Sequence, residues 1–301
     1  MKNVESAKYF QVDHRIEEIL KKEGVVILPS QEAWKKYKWS RKYFKKRPKE
    51  GFFIWVTKQI RFPVSTCVTI SSEGVQQNLL NLMIIERGLS VKSYSICNAT
   101  SANLHGQHNA FGKIILKEGA TMEMISTHSW GVNDVVKPAY HFILEKNSSL
   151  DYKFRSINSP KKFISKNVFK LFEGAKLRVE VALKANNSYV ELYETTYLNG
   201  ENSDAISKLR VVSGKKSEII GCTKMIANAP SKGHLDCRGL MLKNDSKITL
   251  IPALVNANKE STLTHEASIG RIAGEQLEYL RTRGLSENEA IELIVSGFLR
   301  I

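Results

Sequence analysis

A short pattern that recurs through the middle of the chain restricts its fold more than any other feature of the sequence. In each copy an apolar residue precedes Gly, Asn or Asp by three positions, and in all copies but one a second apolar residue follows three positions later. Gly, Asn and Asp tolerate the left-handed backbone of tight turns, so each copy predicts a strand, a turn and a strand. The copies are Ile85-Gly88-Val91, Leu116-Gly119-Met122, Leu144-Asn147-Leu150, Leu171-Gly174-Leu177, Leu183-Asn186-Tyr189, Val211-Gly214-Ser217 and Leu242-Asp245-Ile248.

The spacing of these copies predicts a solenoid. They begin 31, 28, 27, 12, 28 and 31 residues apart, so six follow a period of about 28, and we interpret the copy at Leu183 as an extra turn that splits one coil. Alternating apolar residues after the turns, as in "GAKLRVEV", indicate strands with one buried face. A β-helix fits this pattern best. The alternative is a β-sandwich with regular hairpins, and the weakest copy has Ser217 in an apolar position.

Both flanks of the repeat predict helices. Residues 12–22 form an amphipathic pattern that ends before Gly24, and residues 275–283 form another, with Gly284 in the position after the helix. The sequence "SENE" at 286–289 is a capping box that opens a last helix. The apolar stripe of this helix either packs on the β-core or is offered to a partner. The stripe consists of Ala290, Ile291, Ile294, Val295, Phe298 and Leu299.

These patterns divide the chain into three predicted regions. Residues 1–50 form an N-terminal helical, basic region, residues 51–268 the β-helix core, and residues 269–301 a C-terminal helical segment. Within the first region, residues 34–49 hold nine Lys or Arg and five aromatic residues. Such a stretch suits nucleic acid, because its phosphates attract the charges and its bases stack on the rings. The alternative is a solvated basic helix whose rings dock on the domain behind it.

The cysteines indicate one or two working thiols rather than a disulfide framework. No two of the four form a CxxC pair, which also argues against a zinc ribbon and a thioredoxin-like site. For any one of them, the alternative is a small buried core residue. The four are Cys67, Cys97, Cys222 and Cys237.

The period of the repeat predicts that one cysteine lies near a histidine and a glutamate. Cys237 lies 28 residues before His265. If Leu240 and Leu242 point inward, alternation places Cys237 on the outer face. Residues one coil apart stack about 4.8 Å apart in a β-helix, so Cys237, His265 and Glu266 would converge at the C-terminal end of the solenoid. All three side chains bind metals, and a thiolate favours iron–sulfur chemistry. A Cys-His-Glu nucleophilic triad and unrelated surface residues are the alternatives.

The end of the chain resembles a known family. The sequence "LTHEASIGRIAGEQLEYLRTRGLSENEAIELIVSGFL", residues 263–299, closely resembles the C-terminal signature of the SufB/SufD family of iron–sulfur cluster assembly proteins. The resemblance extends back to residue 233, because the Cys-to-His spacing agrees, and upstream it rests on the repeat alone. A compact SufB-like member is therefore expected.

This resemblance implies a right-handed parallel β-helix core and a C-terminal helical domain that binds SufC, an ABC-type ATPase, with ATP on that partner only. Two copies of the chain, or one copy and a SufB/SufD paralogue, are expected to pair through the ends of their cores. A transient iron–sulfur cluster, expected to be of the 4Fe-4S type, is built at the junction, so the chain is a scaffold rather than an enzyme. The side chains expected to bind the ATPase are Leu277, Leu280, Ile291, Ile294, Val295 and Phe298.

The resemblance also implies roles for single residues. Cys237 and Glu266 fall at the positions of the SufB cysteine and glutamate that are assigned to cluster building. His265 falls at the position of the histidine that a SufD-type partner supplies, so one chain carries the ligands of both partners. Many SufB proteins also have an upstream cysteine that receives sulfur, and the candidates here are Cys222 and Cys97.

Two other functions stay open. A β-helix also suits a polysaccharide-acting enzyme, although the sequence shows no clustered acid pair. The net charge of +15 and the basic segment also suit an RNA-binding protein, although nucleic acid is the less expected partner. No apolar run reaches the roughly 18–20 residues that cross a bilayer. The N-terminus lacks the apolar region of a secretory signal, so a cytoplasmic protein without a membrane partner is expected.

Overall fold

The computed structural model describes residues 6–44 and 46–299. Residues 1–5, Lys45 and residues 300–301, which belong to the predicted N-terminal region, basic segment and C-terminal segment, lie outside the described residues. The described chain winds into a parallel β-solenoid of about 8 turns, followed by helices. Each turn adds one strand to each of two sheets. The predicted β-helix fold is confirmed, and the hairpin sandwich is wrong because stacked strands run parallel.

The two sheets, called sheet A and sheet B, collect alternate strands of the chain. Sheet A contains β1 (Ala7–Val12), β2 (Arg15–Leu20), β5 (Val64–Ile70), β7 (Ser90–Ala99), β9 (Thr121–Ser129), β11 (Ser149–Asn158), β13 (Lys176–Ala185), β15 (Ser203–Ser213), β17 (Ser231–Met241) and β19 (Thr262–Arg271). Sheet B contains β3 (Val25–Pro29), β4 (Phe52–Val56), β6 (Gln76–Ile85), β8 (Gln107–Leu116), β10 (Val135–Leu144), β12 (Lys162–Leu171), β14 (Tyr189–Leu198), β16 (Glu218–Ala227) and β18 (Lys247–Asn256). The helices are α1 (Ser30–Lys36), a 3-10 helix (Lys38–Tyr43), α2 (Gly274–Thr282) and α3 (Glu287–Leu299).

The repeat pattern marks two ridges where the chain passes between the sheets. The first four copies turn from sheet B into sheet A, and the last three turn from sheet A back into sheet B. The interpretation of the Leu183 copy as an extra turn is therefore wrong. Its 12-residue distance from the Leu171 copy is the distance between the two ridges, and each ridge keeps its own period. On the first ridge Gly88 and Gly174 have φ angles of 70° and 63°, which glycine adopts without strain. Ser217, in an apolar position, is buried and donates its hydroxyl to the Gly214 carbonyl oxygen at 2.7 Å.

The interior between the sheets is packed with large apolar side chains. Phe142 and Phe169 stack with ring centroids 4.6 Å apart, and both are at most 1% exposed. Phe163 on the same sheet is also fully buried. Burying one such ring stabilises the fold by about 1.5–3 kcal/mol. The alternation seen in the sequence therefore defines an inner face on every central coil.

The N-terminal segment forms strands where a helix was predicted. Residues 12–22 belong to β1 and β2, an antiparallel pair joined at Asp13, so the predicted helix is wrong. The Asp13 carboxylate accepts hydrogen bonds from the backbone and hydroxyl groups of Ser71 and Ser72, with φ of 51° at Asp13 itself. Pairing of β1 along β5 outweighs the weak helical pattern, because it extends sheet A by two strands. The helix of this region is α1 instead.

Residues 34–44 of the basic-aromatic segment dock on the outer face of sheet B. Trp34, Tyr37 and Phe44 pack with Phe53 in an apolar cluster, and Tyr37 stacks on Phe53 with centroids 5.7 Å apart. Trp39 keeps 39% of its surface exposed. The interpretation that the rings dock on the domain behind them is confirmed, and binding of nucleic acid stays a prediction.

The two C-terminal helices form as predicted. The capping box is present, since the Ser286 hydroxyl and backbone N–H both donate to Glu289 at 2.6 and 2.8 Å. The apolar stripe of α3 packs on the outer face of sheet A, where Val295 contacts Val212 and Leu240. Val295 is only 2% exposed, so its predicted role in contacting a partner is wrong. No helix in residues 6–44 and 46–299 is long and apolar enough to cross a membrane.

Candidate functional site

Cys237 lies inside the solenoid, on the strand before the last strand of sheet A. Its side chain is 2% exposed and belongs to the main core. The prediction that it points outward is wrong, because Leu240, assumed to face inward, packs under α3 on the outer face. Alternation along β17 then turns Cys237 inward. Across the interior, Thr223 Oγ1 lies 3.2 Å from Cys237 Sγ in a hydrogen bond.

His265 and Glu266 lie on opposite faces of β19. His265 pairs with Leu235, and Cys237 pairs with Ala267, so the register between these strands is 30 residues rather than the expected 28. The turns at 242–246 and 257–261 each hold one residue more than their counterparts one coil earlier, and together they account for the shift. His265 therefore shares the inner face with Cys237, two positions along the strand, whereas Glu266 is on the outer face. The predicted stacking of all three side chains is wrong. Among the described residues, no three His, Cys, Asp or Glu side chains form a group that could hold a metal ion.

Glu266 belongs to a charged cluster on the outer face of sheet A. Its Oε2 lies 3.4 Å from Arg238 Nη2, and its Oε1 lies 3.5 Å from His234 Nε2. Arg238 Nε also donates to Asp236 at 3.0 Å, and Asp236 forms a buried ion pair with Arg210. Burial alone raises the pKa of Asp236, but the two arginines outweigh it and hold that pKa below its usual range. The cluster therefore ties β19 to β17 and β15 by charge.

No described strand covers β19, the last strand of sheet A, at the C-terminal end of the solenoid. Nine of the ten residues of β19 are exposed, whereas every second residue of β9, in the middle of the same sheet, is buried. The inner positions Leu263, His265 and Ile269 therefore lie at an open mouth. At the other end, the antiparallel strands β2 and β3 close the two sheets. An unpaired strand edge such as that of β19 readily pairs with another chain.

A column of polar side chains lines the inner face of sheet B and ends beside Cys237. Asn81 donates to the Tyr140 hydroxyl at 2.8 Å, across Gly112, where an added Cβ would lie 2.2 Å from the tyrosine ring. Cavities of about 30 and 20 Å³ lie beside this column. Each is large enough for a water molecule. The column members, in register from coil to coil, are Asn81, Gly112, Tyr140, Asn167, Glu194 and Thr223.

The two candidate sulfur acceptors face different sides of the solenoid. Cys97 packs against the main core and lines the larger cavity. Cys222 precedes the inward-facing Thr223, so it lies on the outer face of sheet B, in register with Tyr193 and Ile251. Cys97 and Cys237 lie five strands apart in sheet A, about 24 Å along the axis. Of the two candidates, Cys97 is the one that shares the interior with Cys237.

Burial favours the neutral form of the titratable groups in the interior. Burial raises the pKa of the Cys97 thiol to about 12 and that of Cys237 to about 11. Burial also raises the pKa of Glu194 to about 7, although the Ser207 hydroxyl, which donates to its Oε1 at 2.5 Å, partly offsets this. Burial lowers the pKa of His128 to about 3. A thiol that binds a metal here must therefore lose its proton on binding.

Three side chains around the site escaped prediction: Thr223, Glu194 and Arg238. A signal for the first two exists, because polar residues recur at inward positions with the coil spacing, from Asn167 to Glu194 to Thr223. Arg238 and Arg210 likewise lie one coil apart on the outer face. Predicting their positions requires knowing which residues of β17 face inward. The sequence pattern does not show this, because α3 covers apolar residues on the outer face of the sheet.

Comparison with known proteins agrees with this architecture. Residues 68–298 match the family model "SUF system FeS cluster assembly, SufBD core domain". An "Iron-sulfur cluster assembly SufBD family protein" of Archaeoglobus fulgidus is 31% identical over 304 residues, which cover 93% of this chain and 80% of that protein. A protein of the same description from Methanothermobacter thermautotrophicus is 30% identical, and the match covers 83% of this chain and 62% of the relative. A third, from Staphylococcus epidermidis, is 28% identical, with 83% and 55% covered, so the chain spans little more than half of that relative. The chain belongs to the SufBD family of iron–sulfur cluster assembly proteins.

Proposed function

We propose that the chain is the scaffold on which an iron–sulfur cluster is built at the open end of the solenoid. Cys237, His265 and Glu266 are the proposed ligands, and the cluster is the cargo rather than a resident cofactor. The observation that carries the proposal is the uncovered last coil, which leaves Cys237 one strand beneath an open mouth. A thiolate there suits iron–sulfur chemistry.

The working unit is proposed to be a homodimer joined at the two open ends, with a SufB/SufD paralogue as the alternative partner. One chain alone separates its ligands, because Cys237 faces inward and Glu266 outward. A cluster of the 4Fe-4S type usually needs about four protein ligands. Two open ends that meet supply two copies of each ligand. The contact also covers the apolar side chains of Leu263 and Ile269.

A SufC-like ABC-type ATPase is the proposed partner of α2 and α3, and ATP binds to that partner. Leu277 and Leu280 on α2 are not fully buried, and Leu293 on α3 is 52% exposed, so these side chains remain available for contact. α3 rests on Leu240, three residues from Cys237 in the same strand. A movement of α3 imposed by the ATPase would therefore reach β17 and reshape the junction.

Cys97 is proposed to receive the sulfur that enters the cluster. Support comes from its inward position, its cavity and the polar column that leads toward Thr223 and Cys237. Polar groups and small cavities reduce the cost of placing a polar species inside an otherwise apolar core. Cys222, on the outer face, has no such connection among the described residues.

The test is anaerobic reconstitution with Fe²⁺ and sulfide. Cys237→Ser should lose the brown absorption and bound iron of the wild-type protein, because a buried serine is a poor soft-metal ligand. Its fold should survive, since serine is nearly isosteric and keeps the Thr223 partner. Cys222→Ser is the matched control and should retain the cluster. The ligand assignment is wrong if Cys237→Ser holds as much iron as the wild type while Cys222→Ser does not.

A further inference from the structure

The Glu266 carboxylate has a cationic partner on the neighbouring strand β17. Arg238 Nη2 lies 3.4 Å from Glu266 Oε2, and the two side chains are 46% and 56% exposed. His234 lies 3.5 Å from the other carboxylate oxygen. A metal ion that binds either carboxylate oxygen would lie beside the positive charge of Arg238 and be repelled by it. Arg238 is therefore a direct competitor of any cation at Glu266.

Arg238 is itself anchored by a buried ion pair. Its Nε donates to Asp236 Oδ1 at 3.0 Å, and Asp236 is 6% exposed. Asp236 also binds Arg210, whose side chain is 9% exposed and donates a second bond, from Nη1 to the Asp236 carbonyl oxygen at 2.9 Å. Asp236 thus holds Arg238 in place whether or not Glu266 is bound. The guanidinium keeps a carboxylate partner when Glu266 leaves it.

We propose that Arg238 is the counter-ion that Fe²⁺ displaces from Glu266 when cluster assembly begins. The proposal rests on the proposed function, in which Glu266 is an iron ligand. Arg238 acts as a positioning residue: it holds the free carboxylate on the outer face of β19 and neutralises it until a divalent cation replaces the guanidinium. The exchange is easy because half-exposed ion pairs contribute little stability. The fixed charge of Arg238 then sets the Fe²⁺ concentration at which Glu266 is occupied.

Anaerobic calorimetric titration with Fe²⁺ alone tests this role without assembling a cluster. Arg238→Gln should bind Fe²⁺ roughly fivefold tighter than the wild type, because a competing positive charge is removed. Arg238→Lys, which keeps the charge, should bind Fe²⁺ about as the wild type does. The fold should survive because Asp236 keeps Arg210 as its partner. Circular dichroism checks this.

Two further variants separate this role from other effects. Arg271→Gln removes a positive charge from the same strand, where Arg271 donates to Asn244 rather than to Glu266, and should leave Fe²⁺ affinity unchanged. An equal gain in Arg238→Gln and Arg271→Gln would overturn the proposal, as would unchanged or weaker binding in Arg238→Gln. Glu266→Gln should weaken Fe²⁺ binding. If it does, failure of Arg238→Gln counts against the counter-ion alone, and if it does not, the ligand role of Glu266 fails together with the counter-ion.

Discussion

Glu194 places a carboxyl group inside an apolar coil and couples the stability of the solenoid to pH. Its pKa rises from 4.5 to about 7 on burial. The folded chain therefore binds this proton more tightly than the unfolded chain does. The stability that Glu194 contributes is complete below about pH 4.5 and is lost as the pH rises through about 7.

Glu194→Gln should remove this loss, because the amide stays neutral and can still accept from Ser207. The variant should equal the wild type near pH 4.5 and exceed it at pH 8 by on the order of 3 kcal/mol in free energy of unfolding. Urea denaturation at the two pH values measures the difference. A wild-type protein that loses no more stability than the variant between these pH values would show that Glu194 ionises freely in the folded state.

At the same scale, candidate site residues could be proposed from the sequence, but their orientations could not be predicted. The period and the family signature single out Cys237, His265 and Glu266 from the sequence alone. Orientation depends on whether Leu240 faces the interior or a covering helix, and both environments are apolar. The extra residues of the turns at 242–246 and 257–261 then shift the register of β19 without any change in its own sequence pattern.

Among the elements, α3 has apolar residues on two faces. One face packs on the outer face of sheet A, and the other is exposed. Val295→Ala should destabilise the docking of α3 by about 2 kcal/mol, because a buried side chain is cut back to leave a cavity over Val212 and Leu240. Hydrogen exchange along residues 287–299 measures this. Leu293→Ala, at an exposed position, should change stability by less than about 0.5 kcal/mol. Its expected effect is weaker binding of the ATPase in a pull-down.

The two variants discriminate between the roles of the buried side and the exposed side of α3. Equal loss of hydrogen-exchange protection in both would mean that Leu293 also serves the core. Unchanged ATPase binding by Leu293→Ala, with the partner shown to bind the wild-type chain, would move the proposed contact to α2.

Elements with strong periodicity were the predictable ones. The strand-turn-strand copies and the capping box at Ser286 carry local signals that the structure retains. The helix prediction for residues 12–22 failed because "RIEEIL" suits a helix and an edge strand almost equally. The deciding factor is pairing with β1, which itself pairs with β5, 57 residues further along the chain. Tertiary pairing overrides a weak local pattern in such a case.

At the scale of the whole molecule, the two ends of the solenoid differ in how their last strands are protected. The N-terminal end is closed by antiparallel strands whose exposed edge carries Arg15, Glu17 and Glu18, which discourages further pairing. The C-terminal end exposes β19 and has no strand beyond it in the part of the chain that the structure describes. The solenoid could be predicted from its period, but the open end could not, because exposure depends on what the next coil covers.

Native mass spectrometry of the anaerobically reconstituted protein tests the central claim, a cluster held between two open ends. A dimer that carries about one cluster per two chains is expected. Leu263→Lys, which places a charge at the mouth, should yield monomers that have lost the cluster as well, with circular dichroism unchanged. A monomer that retains a full cluster per chain would contradict the account.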